Sequence, residues 1–443
     1  MSQLNMRKLI VRVGLLVCAL AAFAVDARAQ NTPPIPNAPG ATLLLPYFEV
    51  DLDNPAGMTT LFSVNNASAT AILGHITVWS DLGVPVFAYN IYLTGYDIQT
   101  INVRDMFTGR VPKTSSDGQD FTDTISPQGL FSQDINFASC SGILSTPNND
   151  LSVVPELYTT YLRAALTGQA SSFHAGQCVA RNLGTPSIAR GYITVDTVNN
   201  CTLRFASDPG YLLGDVSHQN VLWGDYTFVN PSQDLAYGDA LVAVGADQVS
   251  PETSVPGQYT FYGRFAGWTA SDRRTPLATN FVTRYVGAKD FKTVAKARRR
   301  PFLPAATELV VWRDPKVSSV NSFACGATPA WYPLGQEQIR AFDEQEHIET
   351  PTFATPPFPA ATQKVTVANA SFPLTAGSGF LYLNLNTTVP AAGTNPPEDP
   401  AAAQAWVSVL QRVQQGPNGG RYDVGYRAIR LDSAQQASHT LIP

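Results

Sequence analysis

The stretch Ile76-Thr77-Val78-Trp79-Ser80-Asp81 decides how the chain is read, with the run Asn90-Ile91-Tyr92-Leu93-Thr94-Gly95-Tyr96-Asp97-Ile98-Gln99-Thr100-Ile101-Asn102 behind it. Much later Leu309-Val310-Val311-Trp312-Arg313-Asp314 repeats the strand end, followed by Trp331-Tyr332-Pro333-Leu334-Gly335-Gln336-Glu337-Gln338-Ile339-Arg340. Alternating apolar and polar side chains, rich in β-branched and aromatic types, are the period-2 signature of half-buried strands. The echo predicts one β unit made twice.

Working outward, short strands are predicted at Thr42 to Val50, Thr59 to Val64, Ala71 to Trp79, Val86 to Leu93 and Ile98 to Val103. Turn chemistry such as Asp53-Asn54-Pro55-Ala56-Gly57 separates them. Between 113 and 188 the rhythm breaks into an insertion. In it, Pro155 to Leu166 places Leu157, Tyr161, Leu162 and Ala165 at helical spacing, with Pro before and Gly168 after, so a short helix is expected there. Strands resume at Ala189 to Asp196, Val221 to Val229 and Asp239 to Val244, and residues 248–257 read as a linker.

The second half can be laid on the first. Tyr259 to Phe265 answers the opening strand, Asn280 to Tyr285 answers Thr60 to Asn65, Glu308 to Asp314 answers Gly74 to Asp81, and Gly379 to Asn384 matches Gly191 to Asp196. Ala405 to Leu410 and Tyr422 to Leu431 supply closing strands. Trp79 and Trp312 are then expected at matching places. The expected class is all-β: two tandem antiparallel β-sandwich domains, 41–247 and 258–443, the first with a short helical insertion.

The block from Thr59 to Val103, with Asp81-Leu82-Gly83-Val84-Pro85-Val86 and the Gln99-Thr100-Ile101-Asn102 shoulder, resembles immunoglobulin-like or fibronectin-like sandwiches of secreted bacterial proteins. It lacks the Cys-Trp-Cys core of antibody-type domains. The resemblance implies architecture alone, because such folds host many functions.

Composition agrees with a strand-and-turn protein. Of 443 residues, 44% are apolar, only 14% charged, and 33 are Pro and 32 Gly. Arg7, Lys8 and Arg12 precede an apolar run from Val13 to Val25, and Ala27-Arg28-Ala29 is a small-x-small cleavage site, so 1–29 reads as a signal peptide and 30–40 as an extended leader. The protein is expected in the periplasm or outside the cell, with no transmembrane segment. Its removal takes the formal charge from -5 to -8, an acidic balance that argues against nucleic acid as partner.

Cys140, Cys178, Cys201 and Cys325 then remain, an even number in an oxidising compartment, and two disulfides are expected. Three pairings are open; Cys140 with Cys178, bracketing the helix, and Cys201 with Cys325 are preferred. No C-x-x-C spacing supports a metal reading.

Candidate chemistry is sparse. Glu49, Asp51 and Asp53 alternate on one face of the first strand end, and with Asp81 they are a candidate Ca2+ site, or else a solvated edge kept soluble by charge. Lys289, Lys292, Lys296, Arg298, Arg299 and Arg300 crowd one loop, a candidate docking site for a glycan or cell-surface polymer, or a solvated tip. Asp272-Arg273-Arg274 with Trp312-Arg313-Asp314 would hold an anion or lock a loop by ion pairs. Glu344, Glu346 and His347 adjoin along the chain without the separation a glycosidase cleft needs. The aromatics Tyr89, Tyr92, Tyr96, Trp223, Tyr226, Trp331, Tyr332 and Trp406 are core or a sugar-stacking face.

No P-loop, G-x-S-x-G or H-E-x-x-H is present. The reading is a secreted, non-catalytic structural or ligand-binding protein, with no resident cofactor beyond the candidate calcium. A glycan-active hydrolase or a calcium-stiffened surface repeat is the alternative.

Overall fold

Alternation of core-facing and outward side chains builds every sheet, as the period-2 patterning requires. The computed structural model describes residues 38–110, 156–247, 260–266, 272–287, 305–314, 322–327, 329, 332, 334, 338–354, 357–367, 372–385, 404–414, 421–427 and 429–430. The expected signal peptide, Cys140, the linker 248–257 and the basic residues Lys289 to Arg300 lie outside them.

The first half runs β1 (Thr42–Asp51), β2 (Thr59–Asn66), β3 (Ile72–Ser80), β4 (Pro85–Leu93), β5 (Ile98–Asn102), β6 (Ile188–Val198), β7 (Leu222–Trp223), β8 (Asp225–Asn230), β9 (Leu235–Ala240) and β10 (Val242–Val244). One sheet has the order β10-β1-β6-β3-β4; the other has β5-β2-β8-β9, with β7 also on β2. The second half runs β11 (Asn280–Val286), β12 (Ala305–Arg313), β13 (Ile339–Asp343), β14 (Ile348–Glu349), β15 (Thr362–Thr366), β16 (Ser378–Asn384), β17 (Ala405–Gln414), β18 (Arg421–Arg427) and β19 (Ile429–Arg430). Its sheets are β14-β13-β16-β11-β19 and β15-β12-β17-β18.

The two orders are the same order. Replacing β1 to β6 by β11 to β16, the interrupted β7 and β8 by β17, and β9 and β10 by β18 and β19 converts the first pair of sheets into the second. Registers agree as well. Asn65 pairs with Trp223 on one side and Ile98 on the other, while Trp312 pairs with Trp406 and Thr362. Leu61 pairs with Thr227 and Asn102, as Glu308 pairs with Leu410 and Thr366.

Glycine marks the same positions. Gly191 of β6 lies so close to β3 that a Cβ would stand 2.0 Å from the Trp79 carbonyl oxygen, and Gly379 of β16 is held likewise, 1.8 Å from that of Phe342. Only a residue without Cβ permits such an approach. Gly238 opposite Thr227 is matched by Gly425 opposite Leu410.

This corrects the expected alignment while keeping the repeat. The strand at Asn280 answers β1 and not β2, and β12 answers β2 and not β3. Trp79 and Trp312 are therefore not counterparts: Phe342 stands where Trp79 does, and Trp312 where Asn65 does. Tyr259 to Phe265 is no opening strand, since its described part forms a turn and the short helix α3 (Gly263–Ala266). The Val-Trp-x-Asp ending misled because it is a generic way to finish a buried strand. Both tryptophans do serve one purpose, since they enter the same apolar cluster from opposite sides.

Each pair of sheets encloses a core. In the first, Leu43, Phe48, Ile76, Val78, Ile193 and Val195 meet Phe62, Val64, Ile101, Tyr226 and Phe228. In the second, Phe281, Tyr285, Ala341, Leu381 and Leu383 meet Leu309, Val311, Val407 and Val409. α1 (Val103–Phe107) follows β5, and the insertion adds α2 (Glu156–Thr167). Asn102 caps α1, its Oδ1 accepting from the Arg104 amide. The expected helix is α2; Tyr161, Leu162, Ala165 and Leu166 bury its inner face in the first core. It stops at Gly168, φ +71°, the left-handed conformation that ends a helix.

The preferred Cys140–Cys178 pairing does not form, because Cys178 is joined to Cys325, Cα atoms 4.9 Å apart. Cys201 is also in a disulfide. Cys178 and Phe323 exchange both backbone hydrogen bonds, at 3.0 and 2.8 Å, which delivers Cys325 to its partner. The insertion is thus tied to the second half, a proximity that sequence spacing does not reveal.

Candidate docking face

The second half sits on the first through the outward side of β15-β12-β17. Trp312 meets the edge of Tyr192 at 5.8 Å and stacks on Phe261 at 5.8 Å, while Tyr192 stacks on Trp79 at 5.5 Å. Val310 reaches the first core itself. At the rim, Thr362 Oγ1 donates to the Pro46 carbonyl at 2.5 Å, Tyr332 OH to the Leu82 carbonyl at 2.7 Å, and the Ala361 amide to the Asp81 carbonyl at 2.9 Å. An apolar centre with a hydrogen-bonded rim is the anatomy of a stable interface.

The counterpart of that side in the first half is open. On β2 the core-facing residues are Phe62 and Val64, so Leu61, Ser63 and Asn65 point outward. Cross-strand pairing puts Trp223 and Ile98 beside Asn65, Thr100 beside Ser63, and Thr227 and Asn102 beside Leu61. Trp223 is 47% exposed and Ile98 59%, whereas their counterparts Trp406 and Thr362 are 6% and 0% exposed. Leu61 is exposed too.

Beside this row lies a hollow of ≈ 420 Å³, lined by Leu61, Ser63, Thr100, Asn102, Asp105, Arg110, Asp225 and Thr227 among others. Asp225 accepts from Ser63 Oγ at 2.6 Å. Asn65 Nδ2 donates to Ser63 Oγ at 3.3 Å, and its Oδ1 is buried with no hydrogen-bond partner. A buried amide oxygen left unpaired in native structures calls for a reason, and a ligand or partner donor is one.

The sequence-predicted sites fall elsewhere. Glu49, Asp51, Asp53 and Asp81 are not gathered, and among the described residues no three His, Cys, Asp or Glu side chains form a metal-binding group. Each carboxylate has its own partner instead. Glu49 faces Lys364 Nζ at 3.1 Å across the interface and accepts from Tyr47 OH at 2.6 Å. Burial would raise its pKa, but Lys364, Tyr47 and Arg190 outweigh that and hold it below the usual range. Asp51 Oδ1 accepts the amides of Asp53 and Asn54, shaping the turn. Asp53 forms a bidentate pair with Arg163, 2.7 Å to each oxygen, on the surface. Asp81 is buried; desolvation raises its carboxyl pKa despite Arg181 Nε at 2.9 Å.

The two arginine motifs do not converge on a ligand. Arg274 is fully buried, Nη1 3.3 Å from Asp272, Nε 3.6 Å from Asp196, and Nη2 donating to the Ser217 carbonyl at 3.1 Å. Asp196 in turn accepts from Thr42 Oγ1, Tyr211 OH and Tyr262 OH at 2.5, 2.6 and 2.8 Å. Arg313 donates to the carbonyls of Leu385, Tyr332 and Phe358, and burial lowers its pKa to about 10. Arg274 thus locks its loop onto the first half, and Arg313 braces segments within the second. The acids near His347 stay on an exposed turn, His347 Nδ1 2.9 Å from Asp343 and Glu344 accepting from Ser378 at 2.6 Å.

Of the aromatics, Tyr89, Tyr92, Tyr226, Tyr332 and Trp406 are core, and Tyr96 and Trp223 are exposed. Trp331 lies outside the described residues. Sequence reasoning missed Leu61, Ser63, Asn65 and Ile98 as neighbours of Trp223; the alternation of Leu61, Ser63 and Asn65 along β2 was the available signal, while the strand pairing was not.

Compared with known protein families, curated proteins and solved structures, the chain matches none.

Proposed function

We propose that this is an exported, non-catalytic protein of the periplasm, cell surface or extracellular space, built as two tandem immunoglobulin-like sandwiches and acting by docking another surface. One observation carries this. Trp223 and Ile98 are exposed on either side of the buried Asn65, whereas their counterparts Trp406 and Thr362, on either side of Trp312, are buried in the joint within the same chain. Exposed aromatic and aliphatic groups at such a place mark binding surfaces. Hydroxyl-radical footprinting tests it. Trp223, Ile98 and Leu61 should be protected in the native compartment relative to dilute purified protein; equal labelling in both would end the reading.

A second reading takes a glycan or cell-surface polymer as the bound partner. It is supported by the hydroxyl, amide and carboxylate groups of Ser63, Thr100, Asn102 and Asp225 around the hollow beside Trp223. Retention on insoluble glycans, lost in Trp223→Ala, would favour it. A hydrolase would draw on Asp105 and Asp225, which line the same hollow, and would then lose glycan turnover in Asp225→Asn. An acidic mature chain argues against nucleic acid.

A further inference from the structure

The docking reading above can be carried to a named partner, and the inference rests on it. We infer that the open face of the first half takes the second half of another copy of this chain, so that copies associate head to tail. Inside one chain Trp312 of the outward row Trp406–Trp312–Thr362 meets Tyr192 of the row Pro85–Trp79–Tyr192, and Trp406 and Trp79 join them in one apolar cluster. Those two rows have counterparts, and in each counterpart the two outer residues are exposed.

The first is Trp223–Asn65–Ile98, already described. The second lies across β14, β13 and β16. Phe342 pairs with Ile348 on one side and Phe380 on the other, and stands where Trp79 does against the matching glycine. Phe380 answers Tyr192, each following that glycine by one residue. Tyr192 is 2% exposed and Phe380 47%; Ile348 is 51% exposed and Phe342 half-buried. Repeating the step that relates the halves therefore brings the Trp223 row of one copy onto the Phe380 row of the next.

Polar groups fit the same docking. Asp225 lies one row from Trp223 on the open face, with Asp105 and Arg110 at its rim for a net acidic set, and Arg284 lies directly across from Phe380, with Arg340 two residues before Phe342. Opposite charges on the two faces fix register and orientation more than affinity. Because the two faces differ, the contact is heterologous. Such contacts build open chains, or rings where the rotation closes, and not simple two-fold dimers.

The experiment uses the full mature chain with Trp223→Glu and Phe380→Glu, each checked for native circular dichroism. Sedimentation velocity and light scattering of wild type should show mass rising past the dimer as concentration increases. Each variant alone should remain monomeric, since it keeps only one of the two faces. An equal mixture should give dimers that grow no further, the Trp223 face of Phe380→Glu seated on the Phe380 face of Trp223→Glu. Wild type that stays monomeric up to about 1 mM, the weak end of specific binding, would overturn the inference. So would dimers of Phe380→Glu alone, which would mean that two Trp223 faces meet each other. Monomeric wild type together with footprint protection of Trp223 in the native compartment would leave the docking reading standing and remove only the second copy.

Discussion

Trp223 and Trp406 hold the same place in two copies of one strand order, and one is 47% exposed while the other is 6% exposed. Trp406 pairs with Trp312 inside the joint between the halves, and Trp223 pairs with Asn65 on an open face.

The pair should answer truncation differently. Trp406→Ala removes a buried ring and is expected to cost about 3–5 kcal/mol, whereas Trp223→Ala in dilute solution should cost under about 1 kcal/mol. Urea unfolding of both variants measures this, and equal losses would mean that Trp223 is packed.

The link between Cys178 and Cys325 spans a sequence separation of 147 residues. Non-reducing peptide mapping should recover that pair. Replacing both by Ser should lower stability by about 2–5 kcal/mol, because long closed loops restrict the unfolded chain. A recovered Cys140–Cys178 peptide would contradict the joint described here.

Arg274 is the keystone of a buried ionic cluster. Burial works against its charge, and Asp196 and Asp272 more than offset that, so its pKa is raised. Arg274→Met leaves both carboxylates unpaired, and the expected loss is about 3–5 kcal/mol. Adding Asp272→Asn, which returns the cluster to its original net charge, should recover part of it; calorimetric melting of the single and double variants is the readout.

His75 lies buried on β3, its Nδ1 3.0 Å from Asn90 Oδ1, with Asp196 and Asp215 nearby. Burial lowers its pKa, against the hydrogen bond with Asn90 and the fields of those two carboxylates. The unfolded chain, with an ordinary imidazole near ~6.5, therefore takes up a proton before the folded chain does. His75 contributes stability above that pH that is lost as pH falls below it, by up to about 1.4 kcal/mol per unit. Denaturation midpoints of wild type should fall between pH 7.5 and 5.5, chosen to bracket the ~6.5 value, and those of His75→Gln should fall less. A flat wild-type profile would refute it.

Much of the local structure was legible. Strands β1 to β5 and helix α2 follow from alternation, turn residues and a terminal glycine, all short-range signals. The repeat was legible too, but its alignment was not, because Val-Trp-x-Asp marks strand ends of two different sheets. Which strands pair is decided by contacts far apart in sequence, and so is the partner of Cys178. The carboxylates Glu49 and Asp81 illustrate the same limit: their spacing allowed a cation site, while their actual partners, Lys364 and Arg181, arrive from distant segments. Trp223 could be read only as core or stacking face, because an exposed tryptophan differs from a core one only in what lies over it, and that is set by which half covers which.

The claim on which all of this rests is that one strand order is used twice, with Gly191 and Gly379 at the same station. An experimentally determined structure, with the halves superposed on those glycines, tests it most directly. The account predicts that Trp223 falls on Trp406, Asn65 on Trp312 and Trp79 on Phe342; Trp79 falling on Trp312 instead would contradict it.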